Sequence, residues 1–454
     1  LRQLNFAAVQ GNSMRIRPKH WLLLLICLVV KSDLSAQFLM DMIDTTKELG
    51  RGMLSVYKKF DHIRISGYIQ PQYQLASEPG IFNYSGGDFA KDSDNRFMLR
   101  RGRIRFDYAH LDEFRRPQFQ IVFQFDGTER GVFIRDFWGR IWENKWESFA
   151  FTTGMFARPF GFEVNLSSSD RESPERGRMS QILMRTERDL GMMVTYEPRK
   201  STSALRYFHV DAGLFNGQGL TGNVEFDGFK DFIGQIALKP IPLTYFLKLS
   251  GGISLLYGSL LQSNPYTYRL QTDDNSGKNF VADSTSTLPG DRMPREYFGF
   301  NTQLKWNHQW GATELRGEYW QGTQTSLENV TETPGSIPFL PNGAAVPFYI
   351  RQFNGSFIYF LQNIINAKHQ VGVKYDWYDP NTKVKGSDIG KTGNNLNAAD
   401  LRYNTVGLGY TYYMNENVKF VLWYDIVNSE SSPLPDPDGK RNYKILTVRV
   451  QLRF

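Results

Sequence analysis

The sequence predicts an all-β chain: a transmembrane antiparallel β-barrel of about sixteen strands, with short periplasmic turns, long external loops and an inward third loop. Three observations predict it. An export signal lies near the start, a train of segments alternating apolar and polar residues follows, and the links between those segments alternate short and long.

The export signal begins at Met14. Arg15, Arg17 and Lys19 precede the apolar run Trp21-Leu-Leu-Leu-Leu-Ile-Cys-Leu-Val-Val30, and Ser35-Ala36 follows. A basic end, an apolar run too short to cross a bilayer and a small-residue site are the pattern of a cleaved secretory signal, here 14–36. Residues 1–13 precede that methionine and read as an upstream extension that is not translated. The mature chain is then expected to start at Gln37. Cys27, the only cysteine, lies within the apolar run, so the mature chain is expected to hold neither disulfide nor thiolate metal site. The signal and extension also carry Arg2, Arg15, Arg17, Lys19 and Lys31 against Asp33, so the net charge of +7 mostly leaves with them. Nothing in the remainder calls for nucleic acid. Segment 37–61 sets Met42, Ile43, Leu49, Met53, Leu54 and Tyr57 among polar residues, which suits a periplasmic leader or one amphipathic helix.

From His62 to Phe454 the segments are 62–75, 96–109, 117–126, 131–142, 147–156, 191–197, 204–216, 229–239, 243–258, 295–310, 312–320, 348–360, 366–378, 399–413, 417–428 and 441–454. Each is close to the ~10 residues a tilted strand needs to cross a bilayer. In the first, Ile63, Ile65, Ile69, Tyr73 and Leu75 oppose Arg64, Ser66, Gln70, Gln72 and Gln74. In the third, Phe119, Ile121, Phe123 and Phe125 oppose Gln118, Gln120, Gln124 and Asp126. One face suits lipid and the other water. The stretch 131–142 fits worst, because Arg135 and Asp136 interrupt both faces. Even-numbered segments end in short links such as Pro240-Ile-Pro242, Gly311 and Met414-Asn-Glu416; odd-numbered ones end in long links, above all 157–190, 259–294 and 321–347. Gly127-Thr-Glu-Arg130 breaks this rule. In the last segment Leu446, Val448, Val450, Leu452 and Phe454 share one face, a pattern that resembles the signal read by the barrel assembly machinery. The barrel is expected in a bacterial outer membrane, in contact with its lipid.

Charge is densest at Arg96-Phe-Met-Leu-Arg-Arg-Gly-Arg-Ile-Arg-Phe-Asp-Tyr108. Strand parity turns Ile104, Phe106 and Tyr108 to lipid, and Arg101, Arg103 and Arg105 to the lumen. A charge on the lipid side costs about 2–4 kcal/mol near the midplane. Three guanidiniums spaced over about 13 Å would form a ladder for anions. The plainer alternative is that they pair with acids such as Asp107 and Asp126 and brace the wall. Parity also turns inward Arg64, Lys248, Lys305, Arg316, Lys368, Lys374, Lys419, Arg449 and Arg453, against Asp107, Asp126, Asp211, Glu314, Glu318, Asp376 and Asp425. The lumen leans positive, which favours anions. The link 157–190 carries Arg158, Arg171, Arg176, Arg178, Arg185 and Arg188 with Glu163, Asp170, Glu172, Glu175, Glu187 and Asp189, and suits either a filter or a set of internal ion pairs.

Gly154-Met-Phe-Ala-Arg-Pro-Phe-Gly-Phe-Glu163, Ser167-Ser-Ser-Asp170 and Arg185-Thr-Glu-Arg-Asp-Leu-Gly191 resemble the third-loop region of the phosphate-selective porin O and P family. The resemblance runs from about Gly67 to Phe454 and is specific over 96–196. It implies a sixteen-stranded barrel, commonly a homotrimer, passing small anions such as phosphate or polyphosphate along arginines of the wall and inward loop. Family members that select phosphate also carry a lysine cluster on a long external loop. Here 259–294 has Lys278 alone, so the family is better supported than phosphate selectivity.

Other classes stay open. A general, non-selective porin would share every feature except the anion preference. A barrel enzyme would need a catalytic constellation, yet His62, His110, His209, His308 and His369 lie far apart in sequence and sit in no nucleophile motif. A non-conducting anchor for surface loops would fill its lumen with apolar residues, where this one shows Gln, Arg and Lys. Asp92 with Asp94 and Asp273-Asp274 read as solvated loop charges, and no cofactor is implied.

Overall fold

The computed structural model describes residues 62–454 apart from 84–85, 222–224, 274–276, 286–287 and 437–439. The upstream residues 1–13, the signal 14–36 and the leader 37–61 lie outside the described residues.

All sixteen expected segments are strands, with ends shifted by a few residues. They are β1 (Ile63–Ala76), β2 (Asn95–Leu111), β3 (Pro117–Thr128), β4 (Gly131–Trp142), β5 (Phe149–Ala157), β6 (Arg188–Tyr196), β7 (Phe208–Phe215), β8 (Asp231–Pro242), β9 (Leu247–Leu261), β12 (Arg292–His308), β13 (Gly311–Ser326), β14 (Tyr349–Asn363), β15 (His369–Asp379), β16 (Tyr403–Tyr413), β17 (Val418–Ser429) and β18 (Tyr443–Arg453). Each pairs antiparallel with the next, β9 pairs with β12, and β18 returns to β1, closing a sixteen-strand barrel. Gly67 and Phe454 exchange two backbone hydrogen bonds at that seam, of 3.2 and 3.0 Å. A Cβ on Gly67 would lie 2.7 Å from the Phe454 ring, so the closing aromatic needs a glycine opposite.

Alternation decides which face is which. Ile253, Phe300, Leu315, Phe360 and Val373 stand on the outer surface, while Ser254, Asn301, Arg316, Tyr359 and Lys374 of the same strands are buried within. A belt of this kind around a closed barrel is a membrane-spanning wall, in which no strand edge remains to be satisfied.

Of the four register shifts in the ring, two place arginines where alternation would not. In β2, Gln70 pairs with Arg101 and Pro71 with Leu99, which leaves Arg100 as an extra residue. Pro71 has no N–H to give the ladder, and a bulge is one of the few places where a strand tolerates that. In β4, Gln124 pairs with Asp136 and Phe125 with Ile134, leaving Arg135 as the extra residue. A bulge kinks the strand and re-aims side chains. The poor alternation of 131–142 therefore reflects a bulge, with Arg135 and Asp136 both facing the lumen.

The long link between β9 and β12 holds a hairpin that the sequence pattern did not reveal, β10 (Thr267–Asp273) and β11 (Gly277–Asp283). It is not part of the ring. Tyr268 stacks on Tyr349 with ring centroids 4.4 Å apart, and Phe280 meets the same ring edge-on at 5.1 Å, so the hairpin lies back against the rim.

Candidate channel and its inward loop

The third external loop, 158–187, folds into the barrel and is buried along most of its length. Its first turn explains the motif Arg158-Pro-Phe-Gly-Phe-Glu163. Phe160 is fully buried and meets Trp320 edge-on at 4.8 Å. Gly161 adopts φ +70, and a Cβ there would lie 2.0 Å from the Glu318 carboxylate. That carboxylate accepts the N–H groups of Phe162 (2.8 Å) and Glu163 (2.9 Å) and the Trp320 indole N–H (2.7 Å). One wall acid thus fixes the entry of the loop. Glu163 in turn accepts Gly177 N–H and the Ser180 hydroxyl at the start of a short helix, α1 (Arg178–Leu183).

One flank of the loop is sealed. Arg316 of β13 makes a two-pronged pair with Glu172 at 3.0 and 3.1 Å. Lys419 of β17 donates to the carbonyls of Ser169 and Arg171, and Tyr359 shares a hydrogen bond of 2.6 Å with Ser173. Lys374 pairs with Asp376 at 2.9 Å, both buried. Met179, Ile182, Leu183 and Met184 pack with Phe160, Tyr297, Trp320, Phe353 and Tyr378 in an apolar cluster. The polar wall residues expected from sequence face inward on this flank, but the loop and its apolar cluster cover them, so this half of the lumen is packed.

The flank facing β2–β6 differs. Three cavities run along it in sequence. The outermost, of about 660 Å³, is lined by Arg100, Arg101, Arg135, Arg176 and Arg185 together with Asp88, Asp126, Glu175, Glu187 and Glu332. The next, of about 330 Å³, shares Arg135 and Glu187 with it and adds Arg64, Arg103, Arg105, Arg188 and Arg453 against Asp170. A third, of about 320 Å³, shares Arg105 and Arg188 with the second and reaches Arg140, Asp136 and Asp211. Between the first two stands a row of ion pairs: Arg103 to Asp126 at 2.9 Å, Asp126 to Arg135 at 3.5 Å, and Arg135 to Glu187.

Two loop acids neutralise most of the outer arginines. Glu175 is met by Arg100 (2.8 Å), Arg101 (2.8 Å) and Arg449 (3.0 Å). Glu187 is met by Arg135, Arg176 (3.5 Å) and Arg188 (3.4 Å). Burial alone would raise both carboxyls, but the surrounding guanidiniums hold them well below the usual carboxylate range.

The residues singled out from sequence separate into groups. Arg101, Arg103 and Arg105 do line successive cavities, each with an acidic partner; that of Arg105 is Asp107 at 2.7 Å. Arg188 joins them through Asp136 at 3.1 Å. Arg185 lies at the mouth, exposed, paired with Glu332 at 2.6 Å. Arg176 lines the outer cavity while donating to the carbonyls of Ser180 and Met184, which closes the end of α1. Arg158 is buried and donates to the Thr186 carbonyl, a tie across the base of the loop. Lys374 belongs to the sealed flank. Lys248 is exposed at the rim carrying the short turns, paired in register with Lys305. Arg100 and Arg135 were missed because bulges place them, and no parity rule locates a bulge. Among the described residues, no group of three or more His, Cys, Asp or Glu could hold a metal.

No family model matches the chain, and no curated protein matches it in sequence. Solved structures do. The outer membrane channel DcaP of Acinetobacter baumannii superposes with a TM-score of 0.50 at 10% identity, over 86% of this chain and 97% of DcaP. OmpF of Salmonella typhi, solved with daunomycin, gives 0.47 at 12% identity over 86% and 97%. A mutant porin of Rh. blastica gives 0.44 at 12% identity over 86% and 100%. The chain shares the fold of an outer-membrane channel, and its closed, apolar-belted barrel is a bacterial outer-membrane wall.

Proposed function

We propose that this barrel is a passive pore through which small hydrophilic solutes diffuse, with a preference for anions, phosphate or polyphosphate among them. The route is the β2–β6 flank of the inward loop. The observation that carries this reading is the crowding of Arg100, Arg101 and Arg449 on the single Glu175, next to a middle cavity lined by six arginines of which Arg103, Arg105, Arg135, Arg188 and Arg453 each have an acid partner. A surplus of guanidinium lowers the barrier to anion entry, and the planar fork matches phosphate oxygens two at a time. Arg101, Arg103 and Arg105 then act in order along the path, with Arg135 and Glu187 between its outer and middle cavities. The resemblance to the phosphate-selective family adds phosphate as a candidate and a homotrimer as the assembly.

A second reading has its own support. In the outer cavity the acids equal the arginines in number. A mouth of balanced charge over a waist whose arginines are mostly ion-paired suits a general porin with weak selectivity.

Reversal potential across a planar bilayer in a salt gradient separates the two, measured for the mature protein and for a variant with Arg101, Arg103 and Arg105 all changed to Ala. The anion reading expects chloride to be favoured in the parent and not in the variant, with phosphate reducing the current. Conductance without ion preference in both would leave a general porin.

A further inference from the structure

The outer wall over β9, β12, β13 and β14 carries side chains in rows set by register. One row is Ile253, Phe300 and Tyr319. The next is Leu255, Phe298, Gln321 and Asn354, and the one above it is Tyr257, Glu296, Thr323 and Gln352. From Leu304 up to Phe298 this face is mostly apolar over roughly 20 Å of strand. It then turns to amides and rings within two rows, the level at which a bilayer gives way to headgroups.

A cavity of about 510 Å³ opens at that transition. It is lined by the rings of Tyr257 and Phe298, the amides of Gln321, Gln352 and Asn354, and by Lys383. Thr382 N–H donates to the Gln352 carbonyl at 2.8 Å, which puts Lys383 on the β14 side, two strands away from Glu296 on β12. At the usual strand spacing their backbones are about 10 Å apart. The cleft therefore offers a cation at one end, an anion at the other, amide donors and acceptors between, and ring faces below.

We propose that this cleft binds the headgroup of an outer-leaflet glycolipid, with a phosphate against Lys383 and sugar hydroxyls against the amides and Glu296. Gln321 and Asn354 already accept from the Tyr319 hydroxyl and the Trp377 indole, which turns their NH2 groups to the cleft. A plain phospholipid headgroup would use Lys383 alone, whereas a phosphorylated sugar uses Lys383 and the amides, and its acyl chains continue down the apolar rows. The position selects the occupant. Only an amphiphile anchored in the surrounding leaflet presents a polar head at this height against the outside of the barrel.

Native mass spectrometry of the mature protein in detergent tests this, with a diphosphorylated, acylated glucosamine disaccharide added against an equal amount of phosphatidylglycerol. The expected result is one glycolipid retained per barrel in preference to phosphatidylglycerol. Retention falls at least fivefold when Gln321, Gln352 and Lys383 are changed together to Ala. The single variant Gln352→Trp, which fills the cleft, gives the same loss, and the heat-dependent gel shift of both variants reports that the barrel is folded. Equal retention of the two lipids, or unchanged retention in both variants, overturns the proposal. So does equal competition by the deacylated disaccharide, which would make the site one for a soluble sugar. Variants that split an oligomer without altering lipid retention would assign the cleft to a second copy of the chain instead.

Discussion

The two flanks of the inward loop use the same chemistry and leave different things behind. Toward β12–β17 the charges are met close by, Arg316 by Glu172 and Glu314, Lys374 by Asp376, Lys419 by loop carbonyls and Glu318 by loop N–H groups, and apolar side chains fill the remaining space. Toward β2–β6 single acids serve several arginines, Glu175 three and Glu187 three. Three guanidiniums that close on one carboxylate, as at Glu175, leave positive charge unmatched, and the second flank keeps cavities beside them. Stoichiometry of pairing, more than the number of arginines, separates the packed flank from the channel.

The largest break in that comparison is expected at the lock on the sealed side. Glu318→Ala leaves two backbone N–H groups and the Trp320 indole without their acceptor, at about 1–3 kcal/mol each. The loop should come free, raising single-channel conductance several-fold and lowering the urea midpoint; Gly161→Ala should do the same more weakly.

Next comes the shared acid of the open flank. Glu187→Gln removes the counter-charge of Arg135, Arg176 and Arg188, and the anion to cation permeability ratio should rise by roughly threefold, the scale of a change of under 1 kcal/mol in barrier. Loss of loop docking is expected alongside, read as a lower unfolding temperature, because a buried charge cluster loses its partner.

The pH dependence of the same acids sharpens the contrast. Glu175 and Glu187 sit well below the usual range, so their contribution is present above the ordinary carboxylate pKa of about 4.3 and fades only as pH falls through their own lower values. The part of selectivity and stability that Glu175 and Glu187 carry should therefore stay flat from pH 8 to about 5 and change below about 4, read as the difference between the parent and the Glu187→Gln variant. A titration centred near pH 4.5 would place these carboxyls in open solvent.

The smallest effect is expected at Lys248→Ala. This lysine stands exposed at the rim, where water and salt screen its field. Reversal potential should shift by less than a tenth of what the triple arginine variant gives.

Much of the wall was legible because a lipid face and a water face impose a period of two, and the alternation of link lengths supplied direction. The arginines of β2 were legible for the same reason. What period two cannot show is a residue that steps out of it: Arg100 and Arg135 line the path because a proline in β1 and a bulge in β4 turn them inward. Nor does composition show partners. The loop acids Glu175 and Glu187 were visible in the sequence, but which arginines they gather depends on the loop crossing the lumen. The apolar packing of Met179, Ile182, Leu183 and Met184 was hidden because a loop buried inside a barrel has no periodicity to read. The hairpin 267–283 was missed because its strands are short and rest on the rim rather than in lipid.

The most direct test of the account is which flank conducts. With Cys27 changed to Ser, single cysteines at Arg105, Arg135 and Lys374 can be probed in a bilayer with a negatively charged thiol reagent. Modification of Arg105→Cys and Arg135→Cys should cut the anion current strongly, and Lys374→Cys should be unreactive with its current unchanged. Block through position 374 with no effect at 105 and 135 would put the pathway on the other side of the loop and contradict the account.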